Sequence, residues 1–387
     1  MKMNTVDILT SLLRAVLSGE QISPDVATAA RESSAELFKI ADSHDIAHVI
    51  ASAMVSCGAM QKGSDEYRLF SDREELAFFR YKRLAAATDE ICGVLDEQKI
   101  QYVLLKGAVV RELYPEPWMR MSGDIDLLVA EENLASAISA IVDGLGYKTD
   151  GKRDFHDVSL FSPSGVHLEL HFSIKENIEK IDRALERVWD YATPVGDGSR
   201  YELTGEFFVL HLIAHAAYHF INGGCGIKPF TDIWLWKIKR GFDEGVLREL
   251  LAEVGLVTFY DGCTALIDAW FCGTEHTDLT RKMEAHVVLN SLCGDAPKAQ
   301  VVTHGREGGR GKYILRRIFP PYSSMKIRYP VLNKHPYLLP VFEVVRWFEF
   351  AFGGDKKRVK KELDESAKIT DGQTRELLGF LESLELN

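Results

Sequence analysis

The stretch on which the reading turns runs from Tyr102 to Val129, YVLLKGAVVRELYPEPWMRMSGDIDLLV. Tyr102 to Leu105 is a short apolar run of strand character, Lys106-Gly107-Ala108 is a turn that opens a helix, and Val109 to Leu113 continues that helix. Pro115 and Pro117 stop it, because proline lacks the backbone donor and restricts the residue before it. A second strand then begins at Asp124 with DIDLLV. Alternate side chains of a strand share a face, so Asp124 and Asp126 project together while Ile125, Leu127 and Val129 enter the core. At about 3.3 Å per residue the two carboxylates stand roughly 6 to 7 Å apart on a rigid element.

That spacing suits one or two divalent ions held between oxygen ligands, two such ions lying about 3.5 to 4 Å apart. Unpaired, the two like charges repel, and a cation or full solvation is the remedy. In the turn, Gly107 lets a phosphate approach the backbone, and the first amides of the helix that follows are unpaired donors at the positive end of its dipole. Lys106 and Arg120 add positive charge for the same phosphates. Asp-x-Asp alone is a weak signal; joined to the Lys-Gly turn at this spacing, it becomes the layout needed to present a metal-bound triphosphate.

A third acid comes from a hairpin. The runs His156 to Phe161 and Val166 to Ile174 flank the turn Ser162-Pro163-Ser164-Gly165. In the second arm Val166, Leu168, Leu170, Phe172 and Ile174 take one face, leaving His167, Glu169, His171 and Ser173 on the other. If this hairpin pairs beside DIDLLV, Glu169 completes a three-carboxylate cluster with Asp124 and Asp126, and His171 orients the cluster or the substrate. A solvated edge strand is the blander alternative.

The segment LLKGAVVRELYPEPWMRMSGDIDLLV resembles the signature of the bacterial uncharacterised nucleotidyltransferase family, a branch of the DNA polymerase beta-like nucleotidyltransferase superfamily. The resemblance rests on the Lys-Gly-Ala turn, an Arg in the following loop and Asp-Ile-Asp-Leu-Leu-Val, and it extends to the Leu-His strand and a His-rich helix, over roughly residues 100 to 240. It implies that Glu169 deprotonates the incoming hydroxyl or helps hold the catalytic metal. The wider superfamily usually has Gly-Ser at the turn. Here Ala108 follows Gly107, so that hydroxyl is absent.

Around this core the pattern is helical. Val6, Leu9, Leu12, Leu13, Val16 and Leu17 share one face, Ile46, Val49, Ile50 and Met54 mark another helix, and a long charged helix spans Ser64 to Gln98. Glu131 to Leu145 reads as a helix closed by Gly146. Further on, EFFVLHLIAHAAYHFI (Glu206 to Ile221) sets His211, His215 and His219 four residues apart, on one stripe. The stripe reads as facing the cleft, with His215 as a nucleotide contact; an i, i+4 pair is also a possible transition-metal site. The metalloprotease order His-Glu-x-x-His is absent. Asp232 is either the N-cap of the next helix or a partner for one of these histidines, and the resemblance implies the second. The Gly-rich basic stretch His304 to Lys312 reads as a loop, with a phosphate lid and plain disorder as its two readings. The run Asp355 to Glu365 reads as a solvated helical surface.

Composition bounds the function. The 387 residues suffice for two or three domains, and 46% hydrophobic with 27% charged residues is ordinary for a globular protein. A formal net charge of −11 disfavours nucleic-acid binding, and with it templated polymerisation. Cys57, Cys92, Cys225, Cys263, Cys272 and Cys293 contain no Cys-x-x-Cys pair and read as reduced thiols of a cytoplasmic protein. No signal-peptide shape and no bilayer-spanning apolar run is visible.

The expectation is therefore an α+β fold: a small mixed-sheet nucleotidyltransferase core (99–176) between helical N-terminal (1–98) and C-terminal (177–387) regions. The predicted reaction moves a nucleoside monophosphate from an NTP to an acceptor hydroxyl or similar group of a small molecule, with Mg2+ or Mn2+. Asp124, Asp126 and Glu169 are the catalytic and metal-ligating candidates; Lys106, Gly107, Ala108, Arg120, His171 and His215 are the nucleotide-binding candidates. The alternative is a catalytically degenerate nucleotide-binding or protein-interaction module of the same fold, which Ala108 favours.

Overall fold

Helix signals dominate the first hundred residues. In the computed structural model, which describes residues 3–222, 224–289, 298–306, 310–352 and 368–386, they form α1 (Thr5–Ser18), α2 (Pro24–Glu32), α3 (Ser34–Ser43), α4 (Ala47–Ser56) and α5 (Asp65–Glu97). Asn4 and Ser64 cap α1 and α5 through their side chains, and Gly19 ends α1 in the left-handed region. The apolar face foreseen for α1 is buried, except that Val16 is only half-buried.

The alternating stretches then build one seven-stranded mixed sheet. Its strands are β1 (Tyr102–Leu104), β2 (Ile125–Val129), β3 (Lys148–Arg153), β4 (Asp157–Phe161), β5 (His167–His171), β6 (Ala192–Pro194) and β7 (Arg200–Leu203), in the order β3-β4-β5-β2-β1-β7-β6. β2 runs antiparallel to β1 and parallel to β5, and β4 and β5 are the foreseen hairpin. Gly165, at φ +79°, closes the hairpin turn with its N–H on the Ser162 carbonyl. Ile125, Leu127 and Val129 join Leu168 and Leu170 on the face covered by α5 and by α7 (Leu134–Leu145), whose Ala137 and Ile141 are fully buried. That shared apolar face fixes the register, because a slip of one residue would turn every side chain over.

The architecture is α+β, a mixed sheet flanked by helices. The sheet reaches past residue 176: β6 and β7 pair with each other, and β7 continues it beside β1. The chain divides into two compact units, one of Met1–Tyr218 with Cys225–Glu284, the other of His219–Gly224 with Ala285–Asn387. The first unit also holds α6 (Lys106–Val110), α8 (Glu179–Leu185), most of α9 (Gly205–Asn222) and α10 (Lys228–Lys239).

In the second unit, His304-Gly305-Arg306 ends a helix that starts at Lys298, and Arg310-Gly311-Lys312 begins another; 307–309 lie outside the described residues. His304 is buried, and a Cβ on Gly305 would lie 2.5 Å from Leu378 Cδ1 on helix Asp371–Ser383. Glycine at 305 thus serves close helix packing, which corrects the reading of 304–306 as loop. The run 355–365 lies outside the described residues.

None of the five described cysteines, Cys57, Cys92, Cys225, Cys263 and Cys272, is in a disulfide; Cys293 is outside the described residues. No described helix is long and apolar enough to cross a membrane.

Candidate active site

The parallel pairing of β2 with β5 sets Asp126 directly beside Glu169, so both carboxylates project from one face of the sheet. Asp124 stands just ahead of β2, outside the ladder where a strand position was expected, and is half-buried. His171 follows Glu169 on the same face; its Nε2 lies 3.1 Å from Asp126 Oδ1 and 3.6 Å from Glu169 Oε2. Asp126, Glu169 and His171 form one metal-competent grouping, and Asp124, His167 and Glu169 form another, each with ligand atoms within 4.8 Å of one another. A third grouping among the described residues, Asp7–His276–Glu284, is already held by Arg281, 3.0 Å from Asp7 and 2.9 Å from Glu284.

The electrostatics follow from this crowding. Burial would raise the Asp126 carboxyl, but the Lys106 ammonium, 3.1 Å from Oδ1, and the His171 hydrogen bond hold it far below the usual carboxylate range. Burial opposes charge on Lys106, yet Asp126 and Glu176 keep it raised. Asp124 is pushed up by burial and by its acidic neighbours Asp126 and Glu169, whereas the His171 hydrogen bond lowers Glu169. His171 itself is raised, since its bonds to the two carboxylates outweigh burial.

The turn departs from expectation in two ways. α6 is only five residues long, passing into a 3-10 turn at Arg111, and the Ala108 N–H already donates to the Leu105 carbonyl at 3.2 Å. Gly107 is explained by Ser122: a Cβ at 107 would sit 2.2 Å from the Ser122 hydroxyl oxygen.

Arg120 is committed elsewhere. Its Nε and one terminal nitrogen grip both oxygens of Asp232 at 2.8 and 2.7 Å, its other terminal nitrogen donates to the Met121 carbonyl, and Tyr114 donates its hydroxyl to the same Asp232 at 2.7 Å. Asp232 lies inside α10 rather than at its start, so it is not the N-cap, and its carboxylate serves Arg120 and Tyr114 rather than a histidine of α9. The pair ties the loop before Asp124 to α10.

A family model described as "Uncharacterised nucleotidyltransferase" matches residues 31–272. The chain belongs to that family. Among curated proteins none matches it. The match to the uncharacterised nucleotidyltransferase family starts well before the signature and takes in α3 to α10 with the helices α11 (Glu244–Val254) and α12 (Val257–Phe271), so helices that precede and follow the sheet in the chain are part of what the family shares. Membership supports nucleotidyl transfer as the reaction class and implies an NTP as substrate.

The histidines of α9 differ from one another. His211 is buried, with neither ring nitrogen partnered; burial, then the charge of Lys106, keeps it neutral. His215 is half-buried and bonded through Nδ1 to Glu176 Oε1 at 2.8 Å, while His219 is exposed. None of the metal-competent groupings among the described residues includes them. Three residues near the site escaped the sequence reading: Glu176, which sits beyond the strand pattern, and Ser122 and Arg111, whose types carry no signal. Arg111 is a buried cation whose Nε donates to the Gly107 carbonyl at 2.9 Å and whose buried terminal nitrogen has no partner.

Proposed function

We propose that this protein transfers a nucleoside monophosphate from an NTP to a hydroxyl or similar group of a small acceptor, releasing pyrophosphate, with a divalent ion held by Asp124, Asp126 and Glu169. The observation that carries the reading is the register of β2 against β5, which stands Asp126 next to Glu169 on one face, two residues after Asp124. The donor set suits such an ion: Glu169 offers a ligand atom within 4.8 Å of one from Asp126 and, in a second grouping, within 4.8 Å of one from Asp124, whose carboxyl burial and its neighbours Asp126 and Glu169 raise against the weaker pull of Lys106.

When bound, the ion neutralises triphosphate charge and aligns the in-line displacement. The chain's own residues do the rest. Lys106, whose ammonium lies beside Asp126, reaches toward the phosphates from the turn side of the cluster. Glu169, one strand further from the turn, receives the acceptor's proton, and His171 holds both carboxylates in place. Arg120 keeps the loop before Asp124 at its station through Asp232. Arg111 braces the Gly107 carbonyl.

A second reading, nucleotide binding without chemistry, draws on Ala108, which brings no hydroxyl to the turn, and on the Lys106 ammonium already seated on Asp126. Titration calorimetry with each NTP in Mg2+ or Mn2+, beside pyrophosphate release with candidate acceptors, separates the two. Binding with release supports transfer, binding without release supports the second reading, and no binding under any condition defeats both.

A further inference from the structure

His167 shares the polar face of β5 with Glu169 and His171 yet has no part in the reading above. It forms a three-donor grouping with Asp124 and Glu169, and Glu169 belongs to the Asp126 grouping as well, so one carboxylate links two donor sets. The ring of His167 is fixed independently of those acids. Its Nε2 lies 2.9 Å from Ser159 Oγ on β4, and the ring stacks on Phe161 with centroids 4.7 Å apart and planes 9° from parallel. A metal-bound imidazole characteristically has its second nitrogen held by such a neighbour, which sets the tautomer and aims the lone pair. With Nε2–H donating to Ser159, the lone pair is on Nδ1.

We propose that His167 is a direct nitrogen ligand of the divalent ion at this site, and that the site therefore takes a first-row transition ion in preference to Mg2+. The inference rests on the nucleotidyl-transfer reading and sharpens its metal requirement. Mg2+ favours an all-oxygen octahedron and keeps several waters, whereas imidazole donors suit the transition ions. A purely carboxylate site would discriminate far less.

The test uses the full-length protein with Mn2+ as a paramagnetic probe. Pulsed electron paramagnetic resonance of the Mn2+ complex reads directly bound 14N, and Mg2+ competition reads selectivity. The wild type is expected to show 14N coupling and to require an excess of Mg2+ of about tenfold or more to displace Mn2+. His167→Gln should lose the coupling and most of the selectivity, while His171→Gln keeps both. Ser159→Ala, which leaves the ligand in place but frees its ring, should weaken Mn2+ binding by about 10- to 100-fold. It also serves if His167→Gln does not fold, alongside wild-type protein with 15N-labelled histidine, in which the modulation must change. Mn2+ binding without 14N coupling, or coupling that survives His167→Gln, overturns the inference and leaves the transfer reading standing. Failure of Mn2+ and Mg2+ to bind with or without NTP overturns both.

Discussion

Asp232→Ala removes the acceptor shared by Arg120 and Tyr114. The Asp232 side chain is 3% exposed and that of Arg120 13%, so water replaces little of what is lost. Deleting one partner of a buried, hydrogen-bonded ion pair costs about 3–5 kcal/mol, because the remaining charge stays buried without compensation. Replacing both charges with apolar residues, as Arg120→Met with Asp232→Leu, leaves only neutral groups unpaired, the Tyr114 hydroxyl without its acceptor and the Met121 carbonyl without its Arg120 donor. The cost should then fall to about 1–3 kcal/mol. Urea unfolding followed by tryptophan fluorescence measures both, since Trp118 is in the tethered loop and Trp234 and Trp236 are on α10. Calorimetric NTP affinity of the double variant then separates the possible roles of Arg120. A tether predicts a change smaller than about tenfold, 1.4 kcal/mol. A single variant as stable as the wild type, or a well-folded double variant that has lost about 100-fold in NTP affinity, would refute the tether and return Arg120 to the phosphates.

Three further outcomes follow from local geometry. Burial holds His48 at about 4 although its Nε2 sits 2.8 Å from the Met119 carbonyl, so the unfolded chain takes up a proton below about 6.5 and the folded one does not. Stability should thus fall by about 3 kcal/mol as the pH drops from 6.5 to 4, and His48→Gln should flatten that limb in urea midpoints measured across the range. Gly107→Ala places a methyl 2.2 Å from the Ser122 oxygen, so it should weaken NTP binding in calorimetry, and adding Ser122→Ala should relieve the steric part in a double-mutant cycle. Gly305→Ala drives a methyl to 2.5 Å from Leu378 and 2.9 Å from Thr374, and should cost about 1–3 kcal/mol in thermal unfolding; a neutral effect would restore the loop reading of 304–306.

What could be read from the residues alone was whatever has a short period. Alternation put Asp126 and Glu169 on the polar sides of their strands, and the need to bury Ile125, Leu127, Leu168 and Leu170 together left one register in which those acids could meet. The short strands Ala192–Pro194 and Arg200–Leu203 are exposed or half-buried and carry no alternation to read, so the sheet's far edge went unseen. Pairings across long separations were equally silent. Arg120 and Asp232 lie 112 residues apart, and each type has an ordinary local explanation, a phosphate contact for one and a helix cap for the other. One signal was nevertheless present. PFTDIWLW sets a carboxylate among large apolar residues in a helix, where ionised acid is retained only with a cation beside it. The α9 imidazoles are poor candidates, because a buried imidazole tends to neutrality, as His211 does. A guanidinium stays charged on burial and offers a fork that matches both oxygens, which on sequence alone points to an arginine as the partner of Asp232.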